Sequence, residues 1–148
     1  MMPVIVGELN PFGGDEYYAL FPEPRGCTGD RLCRLILGMT QDDYLAAFAR
    51  TNLCSGKWSI KEARIKAKHL WANPGRFILL GAKVCKAWEA PFVPFEVADG
   101  DTRLTLPHPS GLNRFWQTPG AIQRARDAVK AFLSDKPEIV ALMGCEGL

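Results

Sequence analysis

A chain of 148 residues with 47% hydrophobic content is long enough to bury a core and suits one compact domain spanning residues 1–148. No stretch reaches the ~18 uninterrupted apolar residues of a membrane span. A net charge of +2 identifies no partner by itself. The five cysteines, Cys27, Cys33, Cys54, Cys85 and Cys145, are odd in number and scattered without a Cys-x-x-Cys pair. That excludes a disulfide framework and a zinc site and leaves buried free thiols, with no metal and no cofactor expected.

The chain starts Met1-Met2-Pro3-Val4-Ile5-Val6, which has no basic leader and reads as a first strand ending at Gly7, in a cytoplasmic protein. A Gly- and Pro-rich loop follows from Asn10 to about Gly29, and its aromatics Phe12, Tyr17, Tyr18 and Phe21 point to an ordered loop. Leu32, Leu35 and Ile36 have helical spacing up to Gly38. Thr40 with Asp43 caps a second helix carrying Tyr44, Leu45 and Phe48. Thr51-Asn52-Leu53-Cys54 stands where a second strand should end. Ser59-Ile60-Lys61-Glu62 is a capping box for a helix with Ile60, Ala63, Ala67 and Leu70 inward and Lys61, Arg64 and Lys68 on another face.

Phe77-Ile78-Leu79-Leu80-Gly81 is a fully apolar strand leading to a short helix with Val84, Cys85 and Trp88. A strand near Phe92–Val97 and another at Leu104–Leu106 come next. Thr118-Pro119 then reads as N-cap and first-turn proline of a last helix, with Ile122, Ala125, Val129, Phe132 and Leu133 inward. This alternation predicts an α/β fold with a central, mainly parallel sheet and helices on both faces, a three-layer α/β/α domain.

Charge is unevenly placed. Between Arg50 and Arg76 seven basic residues face the single acid Glu62, whereas the N-terminal third leans acidic. Such a run is a solvated helix face or the footprint of a polyanion. In a doubly wound sheet the loops after the strands converge on one edge. The three expected there are Gly7 to Gly14, Thr51 to Cys54 and Pro107 to Arg114. They bring Asn10, Asn52 and His108 together, with no obvious strong base among them.

The run Leu104-Thr105-Leu106-Pro107-His108-Pro109-Ser110-Gly111-Leu112-Asn113-Arg114 resembles the second signature motif of the uracil-DNA glycosylase superfamily. Its nearest forms are the His-Pro-Ser version of the single-strand-selective monofunctional branch and the Pro-Ser-Gly-Leu version of the mismatch-specific branch. Gly7-Glu8-Leu9-Asn10-Pro11 is similar to the first motif, Gly-x-Asn-Pro-Gly, with one residue more. Asn52-Leu53-Cys54 resembles the mid-chain asparagine segment, and Leu80-Gly81-Ala82 the turn before the last third.

The resemblance implies a monofunctional DNA glycosylase that flips out uracil or a related modified pyrimidine and hydrolyses its N-glycosidic bond. DNA, single-stranded or duplex, would be its partner, with no membrane contact and a monomeric state. Asn10 would orient the attacking water, unless the extra residue gives that role to Glu8. His108 would hydrogen-bond the base O2 and Asn52 would read the pyrimidine edge. Phe12, Tyr18 and Phe21 compete for stacking on the base. Ser110, Gly111, Leu112, Asn113 and Arg114 would enter or grip the DNA, with Leu112 as the wedge, and Lys57, Lys61 and Lys68 would meet phosphates. The cysteines lack iron–sulfur spacing, so no cluster is implied.

The chemistry fits these residue types. Breaking the bond leaves positive charge on the sugar and negative charge on the base, so a donor aimed at O2 acts mainly on the transition state. An oxocarbenium-like sugar is electrophilic enough to need only an oriented water. An amide matches the O4 and N3–H edge of uracil, and the target must leave the stack. Plainer readings stand beside these. His108 can be a surface-loop histidine, Asn10-Pro11 an ordinary turn, Asn52 a strand-end cap, Glu8 a helix-facing acid and Leu112 a local contact. Ser110 lacks the Gly-x-Ser-x-Gly elbow of a hydrolase nucleophile. Two alternatives to the main reading are a glycosylase for a bulkier modified base and a DNA-binding protein of the same fold that does not cut.

Overall fold

The apolar runs become the strands of one sheet. In the computed structural model, which describes residues 1–10 and 14–144, β1 (Val4–Asn10), β2 (Ala49–Ser55), β3 (Phe77–Leu80) and β5 (Arg103–Leu106) run parallel. The two-residue β4 (Val97–Ala98) pairs antiparallel with β5 at the edge. Strand order is β2-β1-β3-β5-β4, so the chain changes direction between β1 and β3, where open parallel sheets leave a crevice at their carboxyl ends. Every residue of β3 and β5 is buried. β3 accordingly reads as a continuous apolar run, whereas β5 alternates, with Arg103 and Thr105 buried between its leucines.

Two compact units account for the chain: Met1–Phe21 with Phe48–His108, and Pro22–Ala47 with Pro109–Leu148. The first holds the sheet together with α3 (Ile60–Trp71) and α4 (Ala82–Trp88). Ser59 caps α3 by accepting from the Glu62 N–H at 3.3 Å, as its capping-box spacing predicts. Ala63 and Ala67 of α3 then pack into one apolar cluster with Val6, Leu53, Leu79, Val84 and Trp88.

The second unit is helical: α1 (Thr28–Asp30), α2 (Gln41–Ala47), α5 (Ala121–Phe132) and α6 (Pro137–Val140). Thr40 Oγ1 accepts from the Asp43 N–H at 3.2 Å, the expected cap of α2. The segment Arg31–Ile36 is helical but wound as a π-helix, with the Leu37 N–H reaching Leu32 O at 2.9 Å. Arg126 of α5 holds the end of this wider turn, donating to Leu35 O at 2.9 Å and Ile36 O at 3.0 Å. Gly38 and Gly144 approach closely beside it, and a Cβ on Gly38 would come within 2.8 Å of the Gly144 Cα.

Several expectations need correction. The strand expected near Phe92–Val97 shrinks to Val97–Ala98, since Pro91 and Pro94 cannot donate to a ladder and Phe95 takes a positive φ of 68°. The last helix is not capped by Thr118 with Pro119 in its first turn. Gly120, at φ 78°, is the residue before Ala121, because only glycine enters a helix from that conformation without strain. Ile122 is half-buried, whereas Ala125, Val129, Phe132 and Leu133 are buried as expected. The short helices Arg114–Gln117 and α6 carry no clear periodic signal and were not anticipated.

Cys33, Cys54 and Cys85 are buried free thiols and Cys27 is half-buried, whereas Cys145 lies outside the described residues. Burial pushes the Cys33 thiol up to about 11. Among the described residues no helix is long and apolar enough to cross a membrane.

Leu79 is fully buried at the middle of the sheet, whereas Ile65 on α3 is 51% exposed. Leu79→Ala should therefore cost about 2–5 kcal/mol in urea unfolding, and Ile65→Ala within about 0.5 kcal/mol of zero.

Candidate functional site

Two close backbone approaches shape the carboxyl edge of the sheet. Gly7 pairs in register with Asn52, and a Cβ on Gly7 would collide with Asn52 Oδ1 and come within 3.1 Å of Leu20. Gly81, at φ 92°, ends β3, and a Cβ there would lie 3.0 Å from the His108 Cβ. These two glycines let an amide and an imidazole lie against the strand ends.

His108 follows β5 after Pro107. Its Nε2 stands 4.0 Å from Glu8 Oε2, with the two side chains 26% and 27% exposed. Burial lowers the His108 pKa below its ordinary 6.5. The Glu8 carboxylate opposes that shift and the Lys83 ammonium reinforces it. The imidazole is therefore neutral at pH 7, with one ring N–H to donate and one ring nitrogen to accept. Strand alternation puts Glu8 and Asn10 on the same face of β1. Asn10 closes the strand, its carbonyl accepting from the Gly56 N–H at 2.8 Å.

Asn52 is 8% exposed and lies inside β2. The expectation that Thr51–Cys54 forms a loop at a strand end is corrected: β2 runs on to Ser55, because Leu53 and Cys54 are buried in the core. Likewise Gly7 to Asn10 belongs to β1 and not to a loop. The Asn52 carbonyl accepts from Lys66 Nζ at 2.6 Å, and the same ammonium pairs with Glu16, which also accepts from Thr51 Oγ1. Both partners lower the Glu16 pKa, Lys66 first. This network pins the Glu16–Tyr18 turn to β2.

That turn presents Tyr18, 57% exposed, in edge contact with Phe21 at 5.1 Å. The Arg50 guanidinium sits 5.4 Å from the Tyr17 ring and 5.9 Å from the Phe21 ring. Two of the three stacking candidates thus share one aromatic cluster, and Phe12 lies outside the described residues.

Ser110 to Arg114 belong to the second unit. There Arg31 Nε donates to Pro109 O at 2.8 Å, Ser110 Oγ accepts from the Leu112 N–H at 3.1 Å, and Asn113 Oδ1 accepts from the Phe115 N–H at 3.1 Å. Gly111 passes beside Arg31. Arg114 is exposed, and Leu112 is 93% exposed, which rules out a local hydrophobic contact for it. Lys57, Lys61 and Lys68 are exposed in the first unit, Lys61 and Lys68 along α3.

Lys83, in the first turn of α4, escaped the sequence reading. It stands 5.7 Å from the Trp58 ring as well as influencing His108. The signal was its place two residues after Gly81, in a turn already singled out. Among the described residues no three His, Cys, Asp or Glu side chains are grouped to hold a metal ion. No protein-family model, curated protein or solved structure matches the chain.

His108 should titrate below 6.5 when followed by NMR. Glu8→Gln should lower the midpoint further and Lys83→Met should raise it; the opposite signs would break the assignment of its neighbours. Because folding depresses this pKa, stability should fall as pH drops through 6.5 and level off below the folded-state value.

Proposed function

We propose that this protein is a monofunctional DNA glycosylase that removes uracil or a related modified pyrimidine. The observation carrying the reading is the half-buried His108, its pKa lowered, with the Glu8 carboxylate 4.0 Å from its Nε2 at the carboxyl edge of a parallel sheet. In this reading the domain is a three-layer α/β/α monomer of the uracil-DNA glycosylase kind, working in the cytoplasm on single-stranded or duplex DNA.

As the C1′–N1 bond breaks, its electron pair passes to the base and collects on O2 and N1. A neutral imidazole donating to O2 stabilises that charge without first surrendering a proton. Glu8 orients a water toward C1′ and takes its proton as the new C–O bond forms. The proton then leaves for the departing base, giving free base and an abasic sugar. The carboxylate also offsets the positive charge on the sugar. Glu8 is favoured over Asn10 for this step because it is the group held beside His108.

Asn52, held against Gly7, reads the pyrimidine edge. Tyr18 or Phe21 supplies the stacking face. Leu112, four residues beyond His108, fills the gap left by the flipped base, with Ser110, Gly111, Asn113 and Arg114 gripping the flanking backbone. Lys57, Lys61 and Lys68 supply salt-dependent affinity.

Labelled oligonucleotides with uracil unpaired, opposite guanine or opposite adenine, treated with alkali after incubation, should break at the uracil. His108→Ala should slow single-turnover cleavage about 10²–10³-fold and leave DNA affinity nearly unchanged. Glu8→Gln should cost about 10²–10⁴-fold, more than Asn10→Ala. The reverse order would hand the water to Asn10. Tight binding without strand breaks on any target would make the protein a binder instead of an enzyme.

A further inference from the structure

At the opposite edge of the same sheet, where β3 and β5 begin, a cavity of about 480 Å³ opens between Trp71 at the end of α3 and Trp88 at the end of α4. The two indole planes meet at 68° with centroids 5.5 Å apart, and Phe77 backs Trp88 at 5.1 Å. In this edge-to-face contact Trp71, 37% exposed, keeps indole surface open to the cavity, and the electron-rich face of an indole attracts cations more than anions.

The charge around the cavity has the same preference. Arg103 forms part of the wall, its side chain 7% exposed, and donates Nε to Asp99 at 2.9 Å. Its Nη1 lies 3.9 Å from Glu96 and is closed off from solvent without a hydrogen bond. Two of the three guanidinium nitrogens are thus turned toward carboxylates. Glu89, the left-handed residue ending α4 at φ 61°, adds another carboxylate at the wall. Among the lining residues two carboxylates, Glu89 and Asp99, stand against the one guanidinium of Arg103, an excess of negative charge.

We propose that this cavity binds a small organic ammonium ion whose nitrogen carries methyl groups. A primary ammonium is strongly hydrated and would lose its water against indole faces that cannot accept hydrogen bonds. A methylated one is weakly hydrated, fits an apolar corner, and still gains from the rings and from Glu89 and Asp99. An anion is repelled, and a neutral molecule of the same shape gains only burial. The site is separate from the carboxyl edge and does not depend on the glycosylase reading.

Choline and its uncharged isostere 3,3-dimethylbutan-1-ol test this directly. Choline should shift the indole N–H signals of Trp71 and Trp88 saturably and leave those of Trp58 and Trp116 in place. The isostere should bind about tenfold more weakly. Trp71→Leu should weaken choline about tenfold. Glu89→Gln, at an exposed position that does not threaten folding, should weaken choline and leave the isostere unchanged. Equal affinity for choline and the isostere, or no saturable shift at Trp71 and Trp88 in the wild-type protein, would overturn the proposal.

Discussion

An imidazole half-buried beside a carboxylate is subject to two opposed electrostatic demands, and the carboxyl edge of this sheet depends on how they balance. Removing His108 from water favours its neutral form, whereas Glu8 favours the charged one. Burial dominates, aided by Lys83, so the imidazole stays neutral while its neighbour stays close. The balance needs room that ordinary residues would take up. Gly81 lets His108 sit against the end of β3, and Gly7 does the same for Asn52 on β1. A side chain at either position would displace a polar group that gives the edge its chemistry.

The sheet was legible where its strands carry apolar residues. Val4–Val6 and Phe77–Leu80 are continuous apolar runs and Leu104–Leu106 alternates about Thr105, so none of the three needed tertiary information. The caps at Thr40 and Ser59 were readable for a similar reason, since each is a contact between residues three apart. The features that escaped depend on distant partners. Leu32 and Ile36 fit an ordinary helix as well as a π-helix, and the wider turn is secured by Arg126, some ninety residues away. Asn52 looked like a strand end until Leu53 and Cys54 proved to be core. Lys83 follows the Leu80-Gly81-Ala82 turn, but only the fold brings it near His108.

The two edges of the sheet have opposite electrostatic character. At the carboxyl edge one carboxylate faces a neutral imidazole and a lysine. At the amino edge Arg103 faces Asp99 and Glu96 and lines a cavity with two tryptophans. One β-strand connects them: β5 begins at Arg103 and runs into His108 five residues later. Both edges thus use the same scaffold rule, a polar side chain desolvated at a strand end and held by what lies next to it.

The chain contains two histidines, His69 and His108, and His69 is exposed on α3. Only two histidine signals therefore have to be told apart. With ¹⁵N-labelled histidine, addition of a duplex carrying a non-cleavable 2′-fluoro-deoxyuridine opposite guanine should shift the His108 ring nitrogens at pH 7 and keep them in the neutral range. Binding of the duplex with His108 unmoved, or with the same shifts from an otherwise identical thymidine duplex, would contradict the account.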